Sequence, residues 1–476
     1  MNKRSKWALS AAILAGLCGS AARAQENVYF RHDFGVAKNS GPLPSDFDKD
    51  AKLLWRTAVS LGHSTPCVVG DRIFLTTFER DSNELAVLAL DRSTGEKVWK
   101  KVVPTETIEA VYASGSPATS SPASNGKQVF VFFGSYGLLC YDLAGNLQWE
   151  RRFGPFQDEF GAASSPVLVD GLVILNEDHD IDNFLVALDQ ATGKEVWRTA
   201  RPEFTRSYST PVVLEKDGKK QIIVAGSLQL AAYDSASGEK LWWYDGLSRI
   251  VDSTPVIDGG LIFMATWTPG GDPGERISME PFADALTKFD GNKDRGISRE
   301  ELPKDSPVLD RFFRIDLNQN QLLEEAEWVR HAKVFERAQN VAIAIEPGTR
   351  GPLSPQYVRW TYNRALPTVP SSVVYDGVVT MVKDSGIVTL LDRDTGEVVK
   401  QFRAEGRGNY YSSIVAGDSK VYLTSETGVM TVLKSGRDGK ILSSHDFGER
   451  VVATPVTNAG RIFVRTESAL YCYGEN

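Results

Sequence analysis

One short stretch recurs along this chain with small variations, and it constrains the fold more than any other feature. HSTPCVVGDRIFL begins at His63, SSPVLVDGLVILN at Ser164, YSTPVVLEKDG at Tyr208, DSTPVIDGGLIFM at Asp252 and VATPVTNAGRIFV at Val452. Weaker copies are SSPASNGKQVFVF from Ser120, PSSVVYDGVVTMV from Pro370 and YSSIVAGDSKVYL from Tyr411. Taking the usual proline position as the marker gives Pro66, Pro122, Pro166, Pro211, Pro255, Ser372, Ser413 and Pro455, with successive gaps of 56, 44, 45, 44, 117, 41 and 42 residues. A period near 44 fits either a four-stranded propeller blade or a helical repeat. The content decides between them: β-branched runs, Gly or Asp-Gly turns and alternating strands fill each unit, and helical patterning is confined to one region.

A second element recurs within the units: ALDRSTGEKVW from Ala89, ALDQATGKEVW from Ala187 and AYDSASGEKLW from Ala232. The Asp can cap a tight turn and the Gly supplies the backbone freedom that the turn needs. The Trp then falls on an outer strand, where a large flat ring can pack between neighbouring blades. The second unit keeps YDLAGNLQW with a shorter turn, the sixth places Lys400 where Trp would be, and the seventh is degenerate.

The motif resembles the tryptophan-docking repeat of quinoprotein-alcohol-dehydrogenase-like propellers, also called pyrroloquinoline quinone repeats. The propeller lipoprotein of the outer-membrane barrel-assembly machinery belongs to the same broad family. The resemblance covers most of residues 50–476 and implies an all-β, eight-bladed propeller. The eighth unit stops at YCYGEN after its third strand, while AKLLWRTAV (Ala51 to Val59) is an orphan strand carrying Trp55. That strand is expected to supply the missing outer strand, so that both ends of the chain close the ring and leave no exposed edge.

The 117-residue gap exceeds one period by 73 residues and has a different composition. Within it, DGNKDRGISREE (Asp290 to Glu301) and DLNQNQLLEEAE (Asp316 to Glu327) resemble twelve-residue EF-hand loops flanked by helix-like segments. Oxygen ligands at positions 1, 3, 5, 7, 9 and 12 suit a hard calcium ion. Loop one offers Asp290, Asn292, Asp294, the Gly296 carbonyl, Ser298 and Glu301; loop two offers Asp316, Asn318, Asn320, the Leu322 carbonyl, Glu324 and Glu327. Ile297 and Leu323 stand at position 8, where paired loops exchange a short β contact. The sixth position should be Gly but is Arg295 or Gln321. A left-handed backbone there costs about 1–2 kcal/mol, and Pro303 shortens the helix leaving loop one. The alternative to a calcium site is a vestigial helical decoration.

The expected organisation is a signal peptide at 1–24, an N-terminal segment at 25–49, propeller at 50–269, the EF-hand-like insertion in blade five at 270–355, and propeller again at 356–476. Lys3, Arg4 and Lys6 precede an apolar run from Trp7, and Ala22-Arg23-Ala24 offers a small-residue cleavage site. A membrane anchor, or lipidation at Cys18, are the alternatives. Cleavage after Ala24 removes four basic residues and no acid, taking the formal charge from −8 to −12. An acidic protein of the periplasm or cell exterior is a poor binder of nucleic acid, and no later run is long and apolar enough to cross a bilayer. Cys67, Cys140 and Cys472 remain, each in an apolar run, which reads as buried and at least one free.

The resemblance also implies a test for enzymatic activity. Quinone-dependent dehydrogenases of the family typically carry an adjacent Cys-Cys pair over the cofactor and a Glu/Asn/Asp calcium set in the channel. No Cys-Cys dipeptide and no C-x-x-C-H haem site occur here, which counts against a bound pyrroloquinoline quinone, and no catalytic residue is assigned. NEDHDIDN (Asn176 to Asn183) reads as a solvated hairpin tip, and the five histidines (His32, His63, His179, His331, His445) show no zinc spacing. His63, at the start of an inner strand, is expected to face the channel in a structural role. The expected function is a calcium-binding scaffold for an envelope protein or a polysaccharide. A quinoprotein-like oxidoreductase and an outer-membrane assembly factor are the alternatives.

Overall fold

A computed structural model describes residues 28–38, 40–48, 51–272, 274 and 276–475. The leader at 1–24, with its cleavage site, lies outside the described residues. Eight antiparallel sheets follow one another, at residues 67–102, 123–152, 167–200, 212–245, 256–362, 373–403, 415–446 and 456–475. The last is completed by Ala51–Ala58, which pairs with Ala469–Glu475 and sets Trp55 opposite Cys472, so the ring closes as its sequence predicts. Two sheets gain a short parallel fifth strand: Val36–Ala37 beside Val415–Gly417, and Gly351–Pro352 beside Lys240–Asp245.

The recurring S/T-S/T-P stretch has a direct physical reason. At six of the eight junctions around the axis, the hydroxyl before the proline position accepts the backbone N–H of its counterpart in the preceding blade. Thr65 donates to Ser121 at 2.9 Å, Ser121 to Ser165 at 3.0 Å and Ser165 to Thr210 at 3.1 Å. Thr254 donates to Ser371 at 2.9 Å, Ser371 to Ser413 at 3.0 Å and Ser413 to Thr454 at 3.0 Å. These amides are buried where the strands crowd together, and each would be costly unpaired. Proline follows because it brings no N–H of its own into the same space. The ring also corrects one alignment: Ser413 holds the hydroxyl position in blade seven, so Ile414, and not Ser413, stands at the usual proline position.

At the outer edge five of the tryptophans dock as expected, against the glycine of the next blade's turn, while Trp242 keeps its N–H within its own blade, on Gln221 at 2.9 Å. The indole N–H groups of Trp99, Trp149, Trp197 and Trp360 donate to the carbonyls of Leu143, Gln190, Ser235 and Arg393 in the following blades, at 2.9 to 3.1 Å. Trp55 does the same to Arg92 at 3.2 Å and closes the ring. A Cβ added to Gly238 would lie 2.4 Å from the Trp197 ring, and φ there is +73°. The motif glycine is therefore required twice, for its backbone and for the missing side chain. Blade six replaces the indole bond with Lys400, which donates to the Asp438 carbonyl at 2.7 Å.

Blade five is interrupted between its second and third strands. Val341–Ile345 pairs with Leu261–Thr266, so the excursion runs from 267 to 340 and the third strand lies inside the 270–355 span read as insertion. The excursion carries α1 (Phe282–Phe289), α2 (Phe312–Ile315) and α3 (Glu325–Arg337). Its two loops pair through Ile297–Ser298 and Leu322–Leu323, with Ile297 opposite Leu323. A separate small core of Phe282, Ile297, Phe312, Ile315, Leu323 and Trp328 holds it together.

Trp197, 8% exposed, joins blades three and four through both ring and N–H. Trp197→Ala is expected to lower the unfolding free energy by about 3–5 kcal/mol, read as a reduced denaturation midpoint with an unchanged slope.

Candidate functional site

The twelve residues expected to ligate calcium fall into two loops of closely matching geometry. In loop one, Asp290 accepts the amides of Asp294 and Arg295 at 3.2 and 3.1 Å, and Asp294 accepts that of Gly296 at 2.9 Å. Asn292 accepts the Asp294 amide at 2.8 Å. In loop two, Asp316 accepts from Asn320 and Gln321, Asn318 from Asn320, and Asn320 from Leu322, at 2.9 to 3.1 Å. The closing glutamates fold back over the loops. Glu301 accepts the amides of Gly291, Asn292 and Ser298, while Glu327 accepts those of Leu317, Asn318 and Glu324. The side chains of Ser298 and Glu324 cap the helical turns that follow. The departure from glycine at position six does not change the backbone: Arg295 and Gln321 hold φ of 71° and 70°. Among the described residues, no three His, Cys, Asp or Glu side chains are grouped closely enough to hold a metal ion. The acidic positions are instead satisfied by amides.

A cavity of about 450 Å³ lies on the axis. The hydroxyl ring lines it through Thr65, Ser121, Ser165, Thr210, Thr254, Ser371, Ser413 and Thr454, and Phe30 of the N-terminal segment joins the lining. That segment is held across the ring by Arg31, which donates to the carbonyls of Ile414 at 2.9 Å and Ser372 at 2.6 Å. His63 lines the cavity, and burial with nearby Arg450 and Arg465 pushes its pKa down to about 3, so its imidazole is neutral. The wall includes an aromatic group: Phe160 lies 5.4 Å from Tyr112 and 5.8 Å from Tyr208 between ring centres.

Behind this wall, NEDHDIDN is not a solvated tip. Asn176, Glu177, Asp178, His179 and Asp180 are all buried, because the loop folds inward against the connection at residues 155–161. His179 is bracketed by Asp158 at 3.2 Å on Nδ1 and Glu177 at 2.6 Å on Nε2. Its ring stacks on Phe156 at 3.9 Å. Burial opposes a charge on His179, but the two carboxylates outweigh it and push its pKa up to about 10. Asp158 also accepts the Tyr208 hydroxyl at 2.7 Å. Arg201 makes a two-pronged pair with Asp178 at 2.7 Å, and Arg206 pairs with Asp180 and, at 2.6 Å, with Glu159. Two further acids remain close to neutral. Burial pushes Glu109 up to about 8, and burial together with Asp158 pushes Asp252 up to about 7.

Sequence reasoning marked the S/T-S/T-P stretches and placed His63 facing the channel, but did not single out Glu109, Asp158, Tyr208, Arg249, Asp252 or Arg314. Tyr208 and Asp252 open two copies of the repeat, at a position whose residue type varies from blade to blade, and the other four lie outside it. The excursion meets the cavity through them: Arg314, at the end of α2, lines it beside Arg249, Glu159 and Asp252.

The fold and the axial site together define a closed eight-bladed propeller of the pyrroloquinoline quinone repeat type. The family model described as outer membrane protein assembly factor BamB matches residues 36–174, 114–268 and 384–473, and the chain belongs to that family. Among curated proteins, none matches the sequence significantly. Of solved structures, BamB from Moraxella catarrhalis is similar at 12% identity and a TM-score of 0.56, covering 89% of this chain and 97% of that one. The quinohemoprotein alcohol dehydrogenase ADHIIG from Pseudomonas putida HK5 is similar at 13% identity and a TM-score of 0.54, covering 91% and 78%. The computationally designed Ika8 protein follows at 8% and 0.52, covering 88% and 97%. A designed protein at nearly the same score shows that these likenesses speak for the fold alone.

Glu109 gives a test of the buried acids. Its folded pKa lies above its ordinary 4.5, so the folded state keeps a proton that the unfolded chain has released, and stability falls as pH rises from 4.5 to about 8. Glu109→Gln is expected to abolish that decline. Its melting temperature should overtake that of the wild type across this window and hold a constant lead above it.

Proposed function

We propose that this chain is a calcium-binding propeller of the cell envelope that recognises a partner protein at the mouth of its axial cavity. One observation carries the reading: residues 155–161 connect the excursion to the cavity wall. Within this loop the Gln157 side chain donates to the carbonyl of Leu317, the second residue of loop two. Next to it, Phe156 stacks on His179, Asp158 holds Tyr208, Glu159 accepts Arg206, and Phe160 forms part of the wall. Loop two is thus fastened to the recognition face and is not a remote appendage.

The donor set supports calcium. Asp, Asn, Ser and Glu oxygens with the Gly296 and Leu322 carbonyls are all hard ligands, and both loops keep the left-handed turn that such a loop needs. In this reading Asp290, Asn292, Asp294, Ser298 and Glu301 hold one ion, and Asp316, Asn318, Asn320, Glu324 and Glu327 the other. Calcium would supply positive charge to neutralise the clustered acids. The matched family's description favours an envelope protein over a polysaccharide as partner.

The residues present do not fit a pyrroloquinoline quinone site of the dehydrogenase kind. Cys67, Cys140 and Cys472 are buried in three separate hydrophobic cores, and none lines the cavity.

Calorimetric titration of chelator-stripped residues 25–476 is expected to show saturable calcium binding that Glu301→Gln with Glu327→Gln abolishes. No heat at millimolar calcium from folded protein would leave the excursion a structural ornament. In the same conditions the protein should co-elute with envelope barrel proteins after cross-linking, and less so in chelator. Incubation with pyrroloquinoline quinone, calcium and a panel of alcohols and sugars should give no dye reduction; sustained turnover would establish the oxidoreductase reading instead.

A further inference from the structure

The seam where the excursion meets the cavity holds a pair of cations that nothing in the fold employs. Arg249 precedes the innermost strand of blade five, and Arg314 ends α2, two residues before loop two. Both line the axial cavity, and both also line the crevice beneath α3 with Arg206, Arg330 and His331. Arg206 is committed to Asp180 and Glu159. Neither the Arg249 nor the Arg314 side chain has a hydrogen bond or an ion pair with any described residue.

An uncompensated guanidinium at a partly buried site is costly. Burial, then Arg314 and Arg206, push the pKa of Arg249 down to about 10, with Glu159 opposing them and Arg311 adding to them. The same arginines, after burial, depress His331 to about 3 and leave it neutral. Asp252 is the carboxylate that faces Arg249 from the cavity, and burial keeps it protonated over much of the range below 7. At Arg249 three neighbouring arginines stand against one opposing acid, Glu159.

We propose that this seam binds a small molecule through an oxyanion, a carboxylate or a phosphate, held between Arg249 and Arg314, with its apolar body on the wall formed by Tyr112, Phe160 and Tyr208. Guanidinium groups present paired N–H donors that match the oxygens of such an anion. The aromatic wall begins beside them, since Glu159 and Phe160 are adjacent and Tyr208 follows Arg206 by two residues. A cavity of about 450 Å³ is of the size that ligands of this kind occupy. The site belongs to this chain's excursion: without α2 there is no Arg314, and one cation of the pair is lost. The inference does not depend on calcium occupying the neighbouring loops.

Calorimetry and saturation-transfer NMR on residues 25–476 would use phenyl phosphate, benzoate, inorganic phosphate and phenol, each in calcium and in chelator. Phenyl phosphate and benzoate are expected to bind, their ratio showing which oxyanion is preferred. Phenol should bind far more weakly, and inorganic phosphate less well than phenyl phosphate. Arg314→Gln, at an exposed side chain, should weaken phenyl phosphate binding roughly tenfold with no change in melting temperature, and Arg249→Gln should act in the same direction. Equal binding of phenol, or full affinity in Arg314→Gln, would overturn the proposal. Loss of the calcium titration with phenyl phosphate binding intact would reject the calcium reading alone.

Discussion

The structure depends on the contact in which the amide of an innermost strand donates to a hydroxyl of the next blade, made at six of the eight junctions. Strands converge at the axis of a propeller, where neither water nor a neighbouring edge can satisfy their first amides. A Ser or Thr side chain reaching sideways solves this within three atoms, and the proline after it removes the next donor from the same crowded shell. The bond joins blades far apart in sequence, as between Thr254 and Ser371 across the whole excursion. It fixes the height of every blade on the axis, and with it the height of the cavity lining. The outer interlock of Trp and Gly sets the angle between blades. Because both contacts are made by short repeated segments, blade five can take in an excursion of 74 residues between two of its strands, 267 to 340, without disturbing its neighbours.

This division explains what could be read from the sequence. Blade number, the closing strand at Ala51–Ala58 and the pairing of Ile297 with Leu323 all follow from local patterns repeated at fixed spacing. Blade seven slipped by one residue because both Ser412 and Ser413 could serve as the hydroxyl when no proline marks the register. NEDHDIDN was misread for a different reason. Its polar composition fits a solvated tip when considered alone, and only the partners reveal a buried site: Asp158 for His179, Arg201 for Asp178 and Arg206 for Asp180. Those partners are 21 to 26 residues away in sequence, in connections that carry no repeat. The third strand of blade five was absorbed into the insertion because VAIAI follows a helix directly and lacks the usual turn before it.

The buried charges around His179 make sense as a means of holding one loop rather than as a source of stability. Replacing such networks by apolar groups is often neutral or favourable, while removing a single member is costly. Their value lies in having a single satisfactory arrangement. His179 meets two carboxylates only if residues 155–161 turn inward, and Asp158 then meets Tyr208 only at one position of the wall. The network therefore fixes the loop that both forms the wall and grips Leu317.

The excursion inherits its placement from this rigid loop. A helical module with its own core and a tether at each end could settle over several faces of blades three to five. Two contacts narrow that choice: Gln157 to the Leu317 carbonyl, and Arg330 to the Pro202 carbonyl at 2.7 Å. Both reach backbone carbonyls of the opposing body, so they constrain position without demanding a matching side chain. The first lies within loop two itself, and Arg314 sits three residues before it. Any change in the conformation of loop two must therefore either break the Gln157 bond or move the loop that carries Phe160. The geometry of the cavity and that of the excursion are in this sense one variable, set by a glutamine whose neighbours on both sides are already committed to the propeller.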